Sequence, residues 1–374
     1  MDSGPARVAV VSFLAARAAP VGGFWIALAG GVALARVAQR RGARLGFGAS
    51  IAAMLETVAI IGPARIGIPL TQAITAPMLG RLESRGWRPL PQILACGLVR
   101  LIHNSLTTAF FIWVIAGGLD AYAGTYDAIG RRIGIEVGTA DALLLTVASL
   151  LAWAAFASTI QVLVYRRGLA SWDQTQVDVE IQRQAQPRER RPALRTGRGD
   201  PRLLSVVAVV TFVVLLATTK WPALGLVAAG LAAGWLATRR EKGVWRTGAA
   251  FAAVLAAGAF VFGFGGGLGL DMAARRATRA ALLVLTATWL RAAAGAEGLR
   301  EVSRRMLLKL RRVPSAPEAA AVLDQIESEG RLAEAGRALE QQLRGIEKRP
   351  VPLLDAVLRW VVRESQARAD TSRL

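Results

Sequence analysis

Cysteine and histidine are almost absent from this 374-residue chain, which contains one of each. With only Cys96, a disulfide within the chain and a cysteine-based metal cluster are excluded. Cys96 lies inside an apolar run, which predicts a small core residue. His103 is a poor metal site without partner ligands, so a hydrogen-bonded structural histidine is the simpler interpretation. We therefore expect no metal on this chain.

Acidic residues and lysine are also scarce. The chain has 26 acidic and 46 basic residues, only four of them lysine, and its formal net charge is +20. In a soluble protein this charge would suggest nucleic-acid binding. Here the basic residues cluster beside long apolar runs, as the positive-inside rule predicts for cytoplasmic loops that meet anionic lipid. We expect the lipid bilayer as a partner, and no nucleic acid.

The sequence motifs of common enzymes are missing as well. The chain has no G-x-x-x-x-G-K-[ST] phosphate loop, H-E-x-x-H or G-x-S-x-G sequence. The loop predicted between Gly117 and Ala142 contains four acidic residues, which are too scattered for a membrane transferase: Asp120, Asp127, Glu136 and Asp141. We therefore expect no enzyme activity, no catalytic residues and no cofactor on this chain. An enzyme acting on lipid or isoprenoid is the weakest alternative.

Apolar sequence, by contrast, is abundant: 53% of the residues are hydrophobic and the mean hydropathy is +0.40. Many windows approach the roughly 20 apolar residues that cross a bilayer. We predict an all-α polytopic membrane protein with about 10 transmembrane helices, six and then four. The predicted spans are Val8–Ala19, Gly22–Ala38, Leu45–Gly62, Ile66–Gly80, Ile93–Gly117, Ala142–Tyr165, Leu203–Thr219, Pro222–Ala237, Thr247–Leu270 and Met272–Ala294.

The charge pattern divides the chain into four parts. Residues 1–170 form a six-span module, and 171–202 form a basic cytoplasmic linker that is too polar to build a core. Residues 203–296 form a four-span module, and 297–374 form cytoplasmic helices. Since basic clusters mark the cytoplasmic side, both termini are predicted there, in a bacterial inner membrane.

Residues 297–374 are predicted to form three amphipathic helices. The first, LREVSRRMLLKLRRV, ends at Pro314 and Pro317, the second covers Ala319–Gly345, and the third is PLLDAVLRWVVRESQARAD. Such helices lie on a membrane surface or dock a partner through their apolar faces.

The second half, about residues 199–374, resembles the transmembrane T component of energy-coupling factor (ECF) transporters. The resemblance is carried by GDPRLLSVVAVVTFVVLL, GFGGGLGLDMAARRATRAALLVLTATWL, AEGLREVSRRMLLKLRR and PLLDAVLRWVVRESQARAD. It implies cytoplasmic helices whose short Ala-Arg-Gly or Ala-Arg-Ser motifs bind two ABC ATPase subunits, which hydrolyse ATP and drive transport.

Carried over by position, the resemblance implies two coupling motifs. Leu343-Arg344-Gly345 would be the first, with Leu343 replacing the usual alanine. Ala367-Arg368-Ala369 would be the second, with Ala369 replacing glycine or serine. Arg344, Ala367 and Arg368 are thus the implied ATPase contacts. The alternative is a surface helix whose arginines contact phospholipid.

The resemblance also suggests a role for the first half. Substrate-binding S components of these transporters have six spans and bind a vitamin or a metal. The sequence WIALAGGVALARVA places small residues at the spacing that lets helices approach closely, although alanine is common throughout this chain. A substrate-side module is therefore expected in residues 1–170, and a separate substrate-binding membrane subunit is a further candidate partner.

Ionisable groups inside the predicted spans are the candidates for a substrate cavity, because burying them in a membrane is costly. Glu56 lies near the middle of a predicted span. The alternative to a cavity role is a structural ion pair between Glu56 and Arg65. Arg100, His103 and Asn104 share one helix turn in a later span.

These features predict the membrane component of an ECF-type ABC importer, which couples separate ATPases to uptake of a vitamin or metal ion. A non-transporting membrane scaffold, whose C-terminal helices recruit a cytoplasmic protein, is the main alternative.

Overall fold

Helices make up the regular structure of the described residues, and no strand occurs among them. The computed structural model describes residues 4–18, 23–63, 68–175, 200–238, 242–310, 312–326, 329–344, 346 and 349–369. The first seven helices are α1 Gly4–Ala18, α2 Gly23–Arg41, α3 Ala43–Ile61, α4 Ile68–Ser84, α5 Pro89–Phe110, α6 Leu119–Arg131 and α7 Thr139–Thr175. The other seven are α8 Pro201–Ala217, α9 Trp221–Ala237, α10 Lys242–Gly265, α11 Leu270–Lys309, α12 Ala316–Gln325, α13 Glu329–Arg344 and α14 Pro350–Ala369. A π-helical turn, Phe111–Ala116, continues α5.

The described helices are compatible with a membrane-embedded protein. Four stretches are long and apolar enough to cross a bilayer: Ala43–Ile61, Pro89–Ala116, Thr139–Trp172 and Gly243–Gly265. Three further apolar helices are shorter: Gly4–Ala16, Pro201–Ala217 and Trp221–Ala237. The all-α class is therefore confirmed for the described residues, and the four stretches support a membrane protein. They are fewer than the ten transmembrane helices expected. Helices α2 and α11 carry several arginines, and α4 has only 17 residues.

Exposure separates peripheral helices from interior ones. Large apolar side chains are exposed along α5, α7, α8, α9 and α10, as Leu94, Leu144 and Leu226 illustrate, each 65% exposed or more. By contrast, most of the described apolar side chains of α1 are almost completely buried, including Val8 and Phe13. The first group has the surface expected against lipid, and α1 lies in the interior.

One large apolar core joins the beginning of the chain to its end. It contains side chains from α1, α2, α3, α4, α5 and α7, and also from α12, α13 and α14. Helix α12 packs on α3, α13 packs on α1, and α14 packs on both α1 and α2. The amphipathic C-terminal helices therefore bury their apolar faces within the chain itself, an arrangement that the sequence pattern did not predict.

Ion pairs reinforce this packing at three places. They are Arg7–Glu364 (2.5 Å), Arg44–Glu318 (2.6 Å) and Arg167–Asp355 (2.9 Å). Each pair joins a helix of the first half to α12 or α14. The arginines of the Arg44 and Arg167 pairs are largely exposed, so these two ion pairs contribute less stability than the apolar core does.

Helices α8 to α11 form a second group of packed helices. The carboxylate of Asp200 caps α8 by accepting a hydrogen bond from the backbone N–H of Arg202 (2.9 Å), and Pro201 follows at the first helical position. Helix α11 packs against α8, α9 and α10, and also against α3. It bends at Gly295 (φ 70°), which separates its first part from a basic second part.

Several local predictions differ from the structure. Residues 119–131 form α6 in place of the predicted loop, and Pro317 lies in the first turn of α12, where proline is tolerated. The second predicted C-terminal helix is two helices, α12 and α13. Residues 176–199 of the predicted linker lie outside the described residues, while α7 continues to Thr175. The division into modules stays a prediction.

Candidate functional site

A buried ion pair connects the two groups of helices. The guanidinium of Arg300, on α11 beyond the Gly295 bend, donates from Nε to Oε2 of Glu56 (2.6 Å) and from Nη2 to Oε1 of the same carboxylate. Its Nη1 donates to Glu297 (3.1 Å). The Glu56 side chain on α3 is completely buried, and that of Arg300 is 9% exposed. We call Glu56, Glu297 and Arg300 the ion-pair link.

The geometry of the ion-pair link explains how a carboxylate is tolerated inside the bundle. Two parallel N–H···O bonds from a planar guanidinium match a carboxylate in both charge and shape. Removing one member leaves a buried charge without its partner, which costs about 3–5 kcal/mol. The link therefore fixes α11 against α3 at the point where the chain turns toward its C-terminal helices.

A second group of polar side chains lies inside the first half, between α4, α5 and α7. We call this group the polar core; its members are Gln72, Thr75, Arg100, Ser158, Gln161 and Tyr165. All six side chains are at most 6% exposed. Helix periodicity explains this placement, because Arg100 follows Gln92 and Cys96 on the face of α5 opposite the exposed stripe that contains Leu94, Leu98 and Ile102.

Gln161 organises the polar core. Its carbonyl oxygen accepts a hydrogen bond from Nη2 of Arg100 (2.5 Å), and its amide nitrogen donates to Oγ1 of Thr75 (2.8 Å). The thiol of Cys96 lies 3.3 Å from the same carbonyl oxygen. The amide thereby links α4, α5 and α7 through hydrogen bonds within the bundle.

The polar core retains hydrogen-bonding capacity that the described residues do not use. Both amide atoms of Gln72, the hydroxyl of Tyr165 and Nε of Arg100 have no partner in hydrogen-bonding geometry. None of the ion pairs among the described residues supplies a carboxylate to Arg100, and its described hydrogen-bond partner is an uncharged amide. A buried cation whose described partner is neutral favours the approach of an anionic group.

Glycine makes room for the polar core on α2. A Cβ atom at Gly31 would lie 1.8 Å from the Tyr165 hydroxyl and 3.5 Å from Oε1 of Gln72. The polar ends of Gln72 and Tyr165 therefore meet the backbone of α2 at this position. A larger residue would displace at least the tyrosine hydroxyl.

The predicted cavity residues are distributed over different places. Arg100 lies in the polar core, whereas Glu56 belongs to the separate ion-pair link. His103 and Asn104 are partly exposed on the flank of α5, and Nδ2 of Asn104 is buried without a hydrogen-bond partner. Arg65, the alternative partner of Glu56, lies outside the described residues.

The implied coupling motifs are described only in part. Arg344 ends α13, and Ala367 and Arg368 lie in the last turn of α14. Their side chains lie outside the described part of the chain, so their role as ATPase contacts stays a prediction.

Sequence reasoning missed most of the polar core. Gln72, Gln161 and Tyr165 all lie within apolar runs, and intramembrane polar residues are candidates for function whether or not they are charged. Arg300 was missed because it lies in a basic amphipathic stretch, where an arginine on the polar face is ordinarily solvent-exposed.

The side chains of the polar core can act through hydrogen bonds and through the positive charge of Arg100. The polar core offers a guanidinium, an amide and hydroxyl groups, and no group of three or more His, Cys, Asp or Glu side chains suited to a metal occurs among the described residues. An apolar cavity of about 250 Å³, lined by Val207, Leu226 and Trp289 among others, shares no residue with the polar core.

No family model, curated protein or solved structure matches this chain.

Proposed function

We propose that this chain is the membrane component of an ECF-type ABC importer, in which separate cytoplasmic ATPases drive uptake of a small solute. In this proposal the chain has no enzyme activity and no cofactor of its own, because ATP is used by the partner subunits. Arg344, Ala367 and Arg368 contact those ATPases, and the first half provides the substrate side. A substrate-binding membrane subunit remains a candidate further partner.

The observation that carries the proposal is the packing of α12, α13 and α14 on α1, α2 and α3. An importer needs a mechanical connection from the ATPase contact to the substrate path. Here the helices with the implied ATPase contacts share one apolar core with the first half. The Glu56–Arg300 pair fixes the preceding helix, α11, to that same half. A displacement of the C-terminal helices would therefore reach the first half through packed side chains.

The polar core supports a particular class of solute. A metal cation would be repelled by Arg100, whereas the carboxylate of a vitamin-like solute could accept hydrogen bonds from this guanidinium. The free amide of Gln72 and the hydroxyl of Tyr165 add uncharged hydrogen-bonding groups beside it. Of the two solute classes implied by the resemblance, an anionic vitamin-like compound fits these residues better.

The proposed arrangement in the membrane extends beyond the four long apolar stretches. In it, the chain crosses a bacterial inner membrane about ten times, with α1 in the interior of the helix bundle and the short apolar helices α8 and α9 at its periphery. Both termini and residues 171–202 lie in the cytoplasm, in agreement with the basic clusters that mark this side.

The experiment that tests the proposal is co-purification of ABC ATPases with Arg368→Ala. The substitution should leave folding and membrane insertion intact, because the residue lies in the last turn of α14. Loss of a charge-assisted contact at an interface costs about 2 kcal/mol, roughly thirtyfold in affinity. Arg368→Lys should recover only part of the binding, since lysine lacks the planar fork of donors.

Arg359→Ala and Arg363→Ala are matched controls, because both residues are exposed on the same helix and lie outside the motif. If all three alanine variants weaken ATPase binding equally, the effect reflects the general loss of positive charge and not the motif. If no ATPase co-purifies with the wild-type chain, the importer proposal is wrong and the scaffold is the better explanation.

A further inference from the structure

Three arginines lie close together in the first turns of α11, and among the described residues only Arg275 has an acidic partner. Arg275 forms an ion pair with Asp271 (2.7 Å), and its guanidinium lies 5.9 Å from the ring centroid of Trp221. The indole N–H of Trp221 donates to the same carboxylate (2.8 Å). The hydrogen bonds from Trp221 and Arg275 lower the pKa of Asp271, so this carboxylate is ionised at neutral pH and balances Arg275.

Arg276 and Arg279 have no acidic partner in the described part of the chain; we call these two residues the arginine pair. Arg279 is 5% exposed, and its Nη2 donates to the backbone carbonyl of Val114. The Nε atoms of both arginines are buried without a hydrogen-bond partner. None of the described carboxylates lies at ion-pair distance from either guanidinium, whereas the neighbouring Arg275 pairs with Asp271.

The backbone around the arginine pair is shaped to hold it. The π-helical turn ends α5 with two glycines at positive φ, Gly117 (111°) and Gly118 (113°). A Cβ atom at Gly117 would lie 2.8 Å from both Cζ and Nε of Arg276. Since no side chain other than glycine fits there, the Arg276 guanidinium lies directly against the backbone. Single π-helical turns within α-helices occur frequently at functional sites.

The positive charge of the arginine pair favours an anionic partner. Two guanidinium groups one turn apart repel each other, and partial burial strengthens that repulsion. A phosphate group accepts paired hydrogen bonds from such guanidinium donors and would neutralise them.

The position of the pair fits a phosphate at the membrane surface. Trp221 is 42% exposed beside Lys220 and Asp271, a combination typical of the interface between lipid and water. With a rise of 1.5 Å per residue, Arg276 lies about 7.5 Å and Arg279 about 12 Å along α11 from Asp271. We propose that Arg276 and Arg279 form a binding site for a phosphate group, supplied by a phospholipid headgroup or by a soluble phosphate.

The test measures ligand binding to the purified, delipidated full chain in uncharged detergent. Phosphatidylglycerol, inorganic phosphate and the uncharged lipid diacylglycerol are titrated separately, and the rise in the thermal unfolding midpoint is recorded. The wild type should be stabilised by phosphatidylglycerol, by phosphate or by both, and not by diacylglycerol. Stabilisation by phosphatidylglycerol alone identifies a lipid headgroup, and stabilisation by inorganic phosphate identifies a soluble source.

The doubly substituted Arg276→Gln, Arg279→Gln chain should lose at least about tenfold in apparent affinity, because two charge-assisted contacts are removed. Arg275→Gln is the matched control and should bind as the wild type does. If the double variant does not fold, the single variant Arg276→Gln provides the test, since this residue is only half-buried. Equal loss in Arg275→Gln, or no stabilisation of the wild type by either phosphate compound, would overturn the proposal.

Discussion

The carboxylate of Glu56 is completely buried, and its position in the bundle depends on Arg300, which donates to both of its oxygens. A charged side chain at the centre of a membrane span costs about 2.5–3.5 kcal/mol on insertion scales. Pairing offsets much of this cost, and Glu297 supplies a second acceptor for the same guanidinium. The ion-pair link is thus the residue-scale contact that joins the two groups of helices.

We predict that Glu56→Ala lowers the free energy of unfolding by about 3–5 kcal/mol, because Arg300 is left buried without its principal partner. The measurement is denaturant unfolding of the chain in detergent micelles. Substituting both residues, as Glu56→Leu with Arg300→Met, should restore most of the loss, since an apolar pair needs no desolvation of charge.

Glu301→Ala is the control for loss of an acidic residue from the same region. Glu301 pairs with Arg304 and Arg305, but these side chains are 30–45% exposed, so the change should stay within about 1 kcal/mol. A Glu56→Ala variant as stable as this control would show that the buried pair contributes little.

At the scale of helices, α2 and α4 approach each other through glycine. A Cβ atom at Gly80 of α4 would lie 2.0 Å from the carbonyl oxygen of Ala35 on α2. Because backbone cannot move aside as a flexible side chain can, this contact sets the distance between the two helices. The polar core depends on that distance, since Gln72 and Thr75 lie on α4 and Gly31 on α2.

We predict that Gly80→Ala destabilises the chain by about 1–3 kcal/mol through overpacking. Gly225→Ala, on α9, is the matched control, because a Cβ atom there has no neighbour within 4 Å. That control should be neutral or stabilising by up to about 1 kcal/mol, as expected for glycine to alanine in a helix. Thermal unfolding in detergent compares the two, and equal stability of both variants would mean that the close approach is absent.

Single helices were largely predictable because their signals are local. Apolar runs mark α3, α5, α7 and α10, and the Asp200-Pro201 sequence marks the beginning of α8. Helix α6 was missed, because its small and polar residues resemble a loop until its buried face, including Tyr122 and Thr125, packs on neighbouring helices. A segment could therefore be predicted as a helix wherever it contains a long apolar run.

The partners of each helix were not predictable in the same way. An apolar stripe on α13 or α14 indicates that something covers it, but not whether this is lipid, another protein or the same chain. In the structure, α1 and α2 cover these stripes. The same applies to charge: Arg300, which pairs with Glu56, is 244 residues away in the sequence, while Arg65, the partner considered from the sequence, lies outside the described residues.

At the scale of the whole molecule, the beginning and end of the chain form one body. The largest apolar core includes α1 and α2 together with α12, α13 and α14. A coupling function for the C-terminal helices depends on this union, because free helices could bind an ATPase without moving the substrate side. Docking of α14 on the first half is therefore the central structural claim.

The most direct test is cross-linking of Arg167→Cys with Asp355→Cys in native membranes, on a Cys96→Ser background. These two residues form an ion pair of 2.9 Å between α7 and α14, and the arginine is 60% exposed, so a short bis-maleimide should reach both thiols. Arg363 is exposed and lies about 12 Å farther along α14, so Arg167→Cys with Arg363→Cys is the control and should not cross-link. Efficient cross-linking of the first pair alone is the predicted result. If each cysteine reacts with its own reagent molecule and no cross-link forms, the docked arrangement is contradicted and the main support for coupling is lost.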